Sequence, residues 1–197
     1  MKYQEIDLTL DASKEDNIIL LSSLGTPIAK KVFNIKKEKE RSLLLTVTEL
    51  LEENQITPEN IRAIFVGIGP GSYTGVRIAV SIGEGLSLGL NIPLYSFHSA
   101  LAYLPDTLQN GPFTALLKAK HNHFVLKGRY EDTLIPGSFS YEIVLEEKSP
   151  EDFPIENPLP ISIEEESPLN TKILLPYLNK LKKEPISPPK IIYLHDF

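Results

Sequence analysis

The residues in this 197-residue sequence that are best placed to do chemistry form a run of glycine and hydroxyl side chains, Gly69-Pro70-Gly71-Ser72-Tyr73-Thr74-Gly75. Ser72 or Thr74 can cap a following helix through its hydroxyl, and free N–H groups at a helix start can hold an anion. No Lys-Ser/Thr pair follows the last glycine, which excludes a Walker A loop. The glycine spacing is one residue too long for the dinucleotide-binding pattern G-x-G-x-x-G. A ligand-binding loop and a plain strand–helix turn both stay open.

The other reactive side chains form no complete catalytic or metal site in the sequence. The chain has no cysteine, which excludes thiolate nucleophiles and Cys–zinc sites. His121-Asn122-His123 offers two imidazoles on one strand face but no third ligand. Glu164-Glu165-Glu166 lies in a polar context and is predicted to face solvent. We therefore predict no catalytic and no metal-binding residue.

A cluster of basic residues in the second half fits either an RNA-contacting ribbon or a solvated surface: Lys118, Lys120, His121, His123, Lys127 and Arg129. The net charge of −6 favours the solvated surface, because binding to a phosphate backbone depends on Lys and Arg. Any RNA is thus expected to be held by a partner. The lack of cysteine, of an apolar run long enough for a membrane span and of an apolar leader predicts a cytoplasmic protein with no membrane association.

Hydrophobic periodicity predicts the elements that must position these residues. Strands are predicted at 6–10, 17–22, 27–35, 61–68 and 94–97, the first three as an antiparallel meander, and later at 113–119, 123–130 and 143–146. Helices are predicted at 36–54, 74–90 and 173–181, with further helix starts at Ser149-Pro150 and Ser167-Pro168 and a terminal extended segment at 191–194. A change in composition divides the chain into an N-terminal lobe, 1–104, and a shorter, Pro- and Glu-rich C-terminal lobe, 105–197.

The helix predicted at 74–90 carries an unusual number of small residues. Ser81, Gly85 and Gly89 are four apart and form one row, with Ala79 and Gly83 in a second. Each glycine costs about 1 kcal/mol relative to alanine, so close approach of another element must compensate. That element is either the chain's own sheet or another protein, while Ile78, Ile82 and Leu86 are expected to face inward.

The apolar residues of the helix predicted at 36–54 lie at helical spacing and are interpreted mainly as core: Leu43, Leu44, Val47, Leu50 and Leu51. Leu45 and Thr48 fall on the side that is left over. This helix therefore either packs only against the chain's own sheet or also contacts another protein, in which case Leu45 and Thr48 are available to that partner.

The segment GPGSYTGVRIAVSIGEGLSLGLNIPLYSFHS, residues 69–99, resembles the signature of the TsaB (YeaZ) family, which typically reads GPGSFTGLRIG before a small-residue helix and a short strand. Asp11-Ala12-Ser13 stands where the family has an Asp-Thr-Ser turn, and PKIIYL at 189–194 resembles its closing Pro-x-Tyr-Leu. The resemblance covers the N-terminal half well and the C-terminal half faintly. It makes Gly69 to Gly75, with Arg77, the signature loop.

This resemblance implies an α/β, two-lobed actin-like fold (ASKHA, ribonuclease H-like) with an abbreviated second lobe. It implies a non-catalytic scaffold subunit that dimerises with a TsaD-like protein during transfer of threonylcarbamoyl to N6 of adenosine-37 in tRNAs reading ANN codons. ATP and metal are then expected on the TsaD-like subunit and a TsaE-like ATPase, with none bound by this chain alone and tRNA contacted only indirectly. The implied partner interface comprises Leu45, Thr48, Ser81, Gly85 and Gly89.

Two departures and two alternatives accompany this interpretation. Glu40-Arg41-Ser42 lacks a histidine that many relatives carry, and Lys118-Ala119-Lys120 stands where many have Asp-Ala-Arg, which would alter any polar contact made there.

A degenerate homodimeric paralogue, which uses the same helix surface on itself, remains open. So does a stand-alone nucleotide-using enzyme of the same fold, which should bind ATP by itself.

Overall fold

The computed structural model describes residues 5–34, 36–38, 42–106, 108, 111–118, 123–130, 139–146, 161–163 and 167–183. It forms two compact units, one from the start of the chain to Ser99 together with the chain from Leu178 onward, and one over Ala100–Tyr177. The first stretch of the first unit thus ends at residue 99, whereas the sequence predicted a boundary at 104. The chain then returns to the first unit at Leu178. Periodicity gives no signal for such a return, because it depends on contacts between residues far apart in sequence.

A five-stranded sheet forms the centre of the first unit, in the order β3-β2-β1-β4-β5. The first three strands form the predicted antiparallel meander, and the last two add in parallel on the other side of β1. All five predicted strands are confirmed to within two residues at each end. Their bounds are β1 Ile6–Asp11, β2 Asp16–Ser23, β3 Thr26–Asn34, β4 Ile61–Gly67 and β5 Leu94–Phe97.

Helix α1, Leu43–Glu53, is shorter than predicted. The expected start at Lys36 is wrong, because the Asn34 side chain accepts hydrogen bonds from the backbone N–H groups of Lys36 and Lys37 and turns the chain there. The helix begins only after Ser42, whose hydroxyl accepts a hydrogen bond from Leu45 N at 3.1 Å. This is the N-cap geometry that satisfies an otherwise unbonded donor.

Helix α2, Tyr73–Leu90, is the long helix that the sequence predicts. The hydroxyl of Ser72 accepts a hydrogen bond from Gly75 N at 3.2 Å and caps its start. Asn91 adopts the left-handed conformation, with φ 53°, and ends the helix. A residue in that conformation commonly ends helices, and asparagine tolerates it better than most.

The hydrophobic core of the first unit consists of residues from the sheet and both helices. Ile6, Leu8 and Leu10 of β1 are fully buried in one cluster with Val47 of α1 and Val76 of α2. Gly83 also lies in this core, where a Cβ atom would come within 2.5 Å of the Val66 side chain. Of the three helix glycines, Gly83 is therefore compensated by packing against its own sheet.

The alternate residues of β1 are polar and also buried. Asp7, Thr9 and Asp11 are each at most 4% exposed. Lys182, just beyond the last helix, places its ammonium 2.6 Å from Asp7. Burial raises the pKa of the Asp7 carboxyl, and the Lys182 ammonium partly offsets that rise. This ion pair joins the end of the chain's described part to the sheet.

A buried hydrogen-bond network joins the end of β1 to the start of α2. The Asp11 carboxylate accepts from Ser13 N at 2.8 Å and from the Ser99 hydroxyl at 3.3 Å. The Ser99 hydroxyl accepts in turn from Gly69 N at 3.1 Å, and Ser72 N donates to Ser13 O at 2.6 Å. The β1–β2 turn, the end of β5 and the glycine-rich turn are thereby held together.

The second unit contains a four-stranded sheet in the order β8-β7-β6-β9. Strands β6 Gly111–Lys118, β7 His123–Tyr130 and β8 Phe139–Glu146 are antiparallel neighbours, and β9 Ile161–Ile163, which the sequence did not predict, pairs in parallel with β6. Helix α3, Thr171–Leu181, begins at Asn170, whose side chain accepts from Lys172 N. The start predicted at Ser167-Pro168 is therefore wrong. The predictions at 149–150 and 191–194 lie outside the described residues.

Two glycines of α2 that lie two residues apart should respond oppositely to alanine. Gly83→Ala should lower the free energy of unfolding by about 1–3 kcal/mol, because the new methyl group would meet the Val66 and Leu94 side chains. Gly85→Ala should raise it by up to about 1 kcal/mol, because its methyl group would enter open space. Urea denaturation of both variants measures the difference, and equal effects would contradict this packing.

The buried Asp11 carboxyl should make stability depend on pH. Burial raises the pKa of Asp11 above its usual 3.8, against the hydrogen bonds from Ser13 and Ser99. The folded chain therefore holds this proton more tightly than the unfolded chain, and the stability this contributes is lost as pH rises from 3.8 through the raised pKa. Native protein should lose stability relative to Asp11→Asn between pH 3.5 and pH 7 in denaturation series. A difference that stays constant with pH would refute this assignment.

Candidate functional site

Exposed apolar side chains of the first unit concentrate on α1 and α2. Of the seven large hydrophobic residues that the described part of the chain exposes, five lie on these two helices and only Leu24 and Val32 lie elsewhere. We call ten of the exposed residues of these two helices the helix face. It comprises Leu44, Leu45 and Thr48 of α1, and Tyr73, Arg77, Ile78, Ser81, Gly85, Leu88 and Gly89 of α2.

The α2 part of the helix face contains the small residues that the sequence singles out. Ser81, Gly85 and Gly89 are all exposed, and a Cβ atom built on either glycine would meet no atom within 4 Å. Their own sheet therefore does not compensate these two glycines, in contrast to Gly83. Leu88, one turn from Gly85, is 85% exposed. This part of α2 is an open surface that a second backbone can approach closely.

The α1 part of the helix face carries exposed leucines. Leu45, which the sequence assigns to the free side, is 49% exposed, and Thr48 beside it is also exposed. Leu44 is 47% exposed, so its interpretation as core is wrong. Leu43, Val47, Leu50 and Leu51 already fill the inward side, and Leu44 lies at its edge. On α2, the prediction that Ile78 faces inward is also wrong, because Ile78 is 38% exposed. Ile82 and Leu86, predicted to lie in the same inward row, do pack against the core.

The glycine-rich turn is occupied by the chain's own backbone. A Cβ atom on Gly75 would overlap the carbonyl oxygen of Ala12, and one on Gly71 would overlap that of Ser13. The N–H groups of Gly69, Ser72 and Gly75 already donate within the unit. The close approach of the β1–β2 turn accounts for these glycines without a ligand and favours the plain strand–helix turn.

The basic cluster is only partly described. Lys127 is half-buried and Arg129 is exposed on β7. The Lys118 and His123 side chains, and all of Lys120 and His121, lie outside the described residues, as do Arg41 and Glu164 to Glu166. Among the residues that are described, no three of His, Asp or Glu come together as a metal site. Burial lowers the pKa of His98 to about 4, so its imidazole is neutral at pH 7.

A cavity of about 460 Å³ lies at the start of α3 in the second unit. Three of its polar side chains are paired with one another: the Asp106 carboxylate accepts from Lys172 Nζ at 2.7 Å and from the Asn170 amide at 2.8 Å. The Asn170 amide also bonds to Leu104 O. Across the described stretches of the chain, no helix is both long and apolar enough to span a membrane.

Comparison with known proteins points to one family. The family model described as "TsaD: tRNA N6-adenosine threonylcarbamoyltransferase" matches residues 31–134. A protein of Buchnera aphidicola subsp. Baizongia pistaciae called "tRNA threonylcarbamoyladenosine biosynthesis protein TsaB" is 35% identical over 99 residues, 48% of this chain and 45% of its own length. The protein of the same name from Bacillus subtilis is 35% identical over 104 residues, 53% and 44% of the two chains. The chain spans about half the length of these curated relatives.

Two solved structures share the fold. YeaZ from Pseudomonas aeruginosa superposes with a TM-score of 0.64 at 22% identity, over 90% of this chain and 93% of that one. Another structure, described as a protein with similarity to peptidase YEAZ from the same organism, gives 0.69 at 22% identity, over 97% and 100%. The predicted actin-like α/β fold class is therefore confirmed. Because the family model matches more than half of the chain, the chain belongs to the family that this model describes and, within it, to the TsaB (YeaZ) proteins.

Proposed function

We propose that this chain is a non-catalytic scaffold subunit that binds a TsaD-like protein through the helix face during tRNA threonylcarbamoyladenosine biosynthesis. The observation that carries the proposal is the open pair Gly85 and Gly89 beside exposed leucines on neighbouring helices. The names of the curated relatives supply the pathway, and the name of the matching family model supplies the partner class.

The helix face has the energetic character of a docking surface. Fully burying a leucine or isoleucine stabilises by about 1.5–3 kcal/mol. Leu88 is 85% exposed and has most of this still to gain, whereas Leu44, Leu45 and Ile78, at 38–49% exposed, have part of it. Monomeric proteins rarely expose large contiguous apolar patches, and those that do commonly use them for binding. Glycine at 85 and 89 weakens the isolated helix but lets a partner helix approach without intervening side chains.

A scaffold can activate its partner without performing chemistry. If the TsaD-like protein has an active and an inactive conformation, a subunit that binds the active one more tightly increases its population. The gain equals the difference in binding free energy between the two conformations. ATP, metal and direct tRNA contact then belong to the TsaD-like and TsaE-like partners. The net charge of −6 agrees with this division, because the chain as a whole would repel tRNA phosphates.

Reconstitution tests this function directly. The TsaD-like and TsaE-like proteins of the same organism are combined with TsaC, the protein that supplies threonylcarbamoyl-adenylate in the pathway of the resembled family. They are incubated with tRNA, threonine, bicarbonate and ATP, with and without this chain, and threonylcarbamoyladenosine is quantified by mass spectrometry. We expect modification to require the chain. Equal modification in its absence would reject the scaffold function. Tight ATP binding by the isolated chain would instead support a stand-alone enzyme.

Leucine at position 85 or 89 should abolish docking while preserving the fold. Both positions open to solvent, so Gly85→Leu and Gly89→Leu should fold and should stabilise α2 by up to about 1 kcal/mol. Each new side chain would hold the partner backbone away from the helix. We expect binding to the TsaD-like protein, measured by isothermal titration, to weaken at least tenfold. Gly85→Ala is the smaller control and should weaken binding less. Native affinity in both folded leucine variants would exclude this interface.

Leu88 and Leu24 serve as matched test and control positions for substitution, because the two leucines are similarly exposed, at 85% and 81%. Leu88 lies on the helix face, whereas Leu24 lies in the turn between β2 and β3. Leu88→Ala should weaken binding by about 1–2 kcal/mol through lost apolar burial, with little change in the stability of the free chain. Leu24→Ala should leave affinity unchanged. Equal losses of affinity would show that docking does not depend on the helix face.

A further inference from the structure

Arg77 is the one basic residue in helices α1 and α2, both of which the structure describes completely. It is exposed, and its guanidinium donates a hydrogen bond to the Tyr73 hydroxyl at 2.8 Å. Its Cζ atom also lies 5.2 Å from the centre of the Tyr73 ring. The hydrogen bond and the cation–π contact restrict the side chain and hold a cation at one place on the helix face.

No carboxylate within the described residues forms an ion pair with Arg77. Of the three acids of α1, Glu49 and Glu53 pair with Lys31 of β3, at 3.1 and 2.6 Å, and Glu52 forms no ion pair with Arg77 within the described residues. On α2 itself, Glu84 lies seven positions from Arg77, beyond the three- or four-residue spacing at which helix side chains meet. Tyr73 uses one of the five guanidinium N–H donors, so donors remain for an anion.

Docking would remove water from this guanidinium. A buried charge is tolerated only when an opposite charge and hydrogen bonds replace the lost water. Arginine suits a carboxylate especially well, because two parallel N–H donors match its two oxygens. We propose that Arg77 determines partner specificity on the helix face, and that the docking partner presents an Asp or Glu carboxylate to it. This inference rests on the proposed function and names the partner chemistry that the function requires.

The position of Arg77 also specifies where that carboxylate must lie. Tyr73, Arg77, Ser81, Gly85 and Gly89 are each four residues apart, so they form one ridge along α2. The ridge is bulky and cationic at its start and flat at its end. Gly85 lies 85 − 77 = 8 residues beyond Arg77, or about 12 Å along the axis at 1.5 Å per residue. The partner should therefore approach most closely at the glycines and place its acid about 12 Å away, toward the start of α2.

The contribution of Arg77 to partner affinity can be separated from the long-range effect of the chain's net charge, because that net charge is −6 and therefore opposite in sign to Arg77. At long range this charge opposes an acidic partner surface, so only a local contact with Arg77 can favour one. Arg62, also exposed but located on β4, provides a control with the same change in charge. Screening by salt should weaken the Arg77 contact and leave the Arg62 control little affected.

Isothermal titration of the folded chain with its TsaD-like protein tests the inference, with folding of each variant checked by thermal denaturation. Arg77→Glu should weaken binding at least about 30-fold, the lower range for losing one partner of a buried charge pair. Arg62→Glu should stay within about twofold of native. Arg77→Lys should fall between native and Arg77→Glu, since it keeps the charge but loses the paired donors. Arg77→Gln replaces Arg77→Glu if the latter does not fold, and should also bind more weakly than native.

Parallel titration of Gly85→Leu distinguishes failure of this inference from failure of the proposed function. If Gly85→Leu abolishes binding but Arg77→Glu and Arg77→Gln bind like native, docking stands and the carboxylate is refuted. If all three bind like native, the helix face is not the docking surface and both proposals fail. If Arg77→Glu does weaken binding, acidic surface residues of the partner are next changed singly to Arg. Recovery of Arg77→Glu binding by one such change would identify the carboxylate, and recovery by none would overturn the inference.

Discussion

The arrangement of the first unit depends on the contact between the β1–β2 turn and the glycine-rich turn. Backbone carbonyls of Ala12 and Ser13 occupy the space that side chains at positions 75 and 71 would need, and the Asp11 carboxylate bonds to Ser13 and Ser99 beneath them. This contact fixes where α2 begins, and an 18-residue helix that is fixed at its start has a fixed rotation along its length. The contact thus determines which residues point inward and which form the helix face.

Two glycines of α2 that lie two residues apart have opposite surroundings, as expected if one side of the helix packs on its own sheet and the other binds the proposed partner. Gly83 lies against Val66 and Leu94, where any larger residue would separate the helix from the sheet. Gly85, 200° further round an ideal helix, faces open space at a cost in helix stability that no contact with the described residues of the first unit offsets. Such an unexplained cost is typical of a surface whose function requires a partner, and the exposed leucines beside it agree with that view.

Much of this architecture could be predicted from the sequence, because the strands of the first unit alternate or run apolar and α2 has clear cap residues. The glycine-rich signature also identified the family correctly. The start of α1 could not be placed, because the charged residues from Lys36 onward fit a helix as well as a turn, and Asn34 decides between them. Leu44 and Ile78 lie at the edges of apolar stripes, where periodicity does not separate buried from exposed positions. The return of the chain to the first unit at Leu178 depends on long-range contacts that no local pattern encodes.

Size-exclusion chromatography with light scattering, performed on this chain mixed with the TsaD-like protein of its own organism, tests the central claim most directly. The account predicts a single species whose mass equals the sum of one copy of each chain, formed by the native protein and not by a folded variant with a bulky residue at position 85. Two separate peaks from the folded native proteins, each with the mass it has alone, would contradict it.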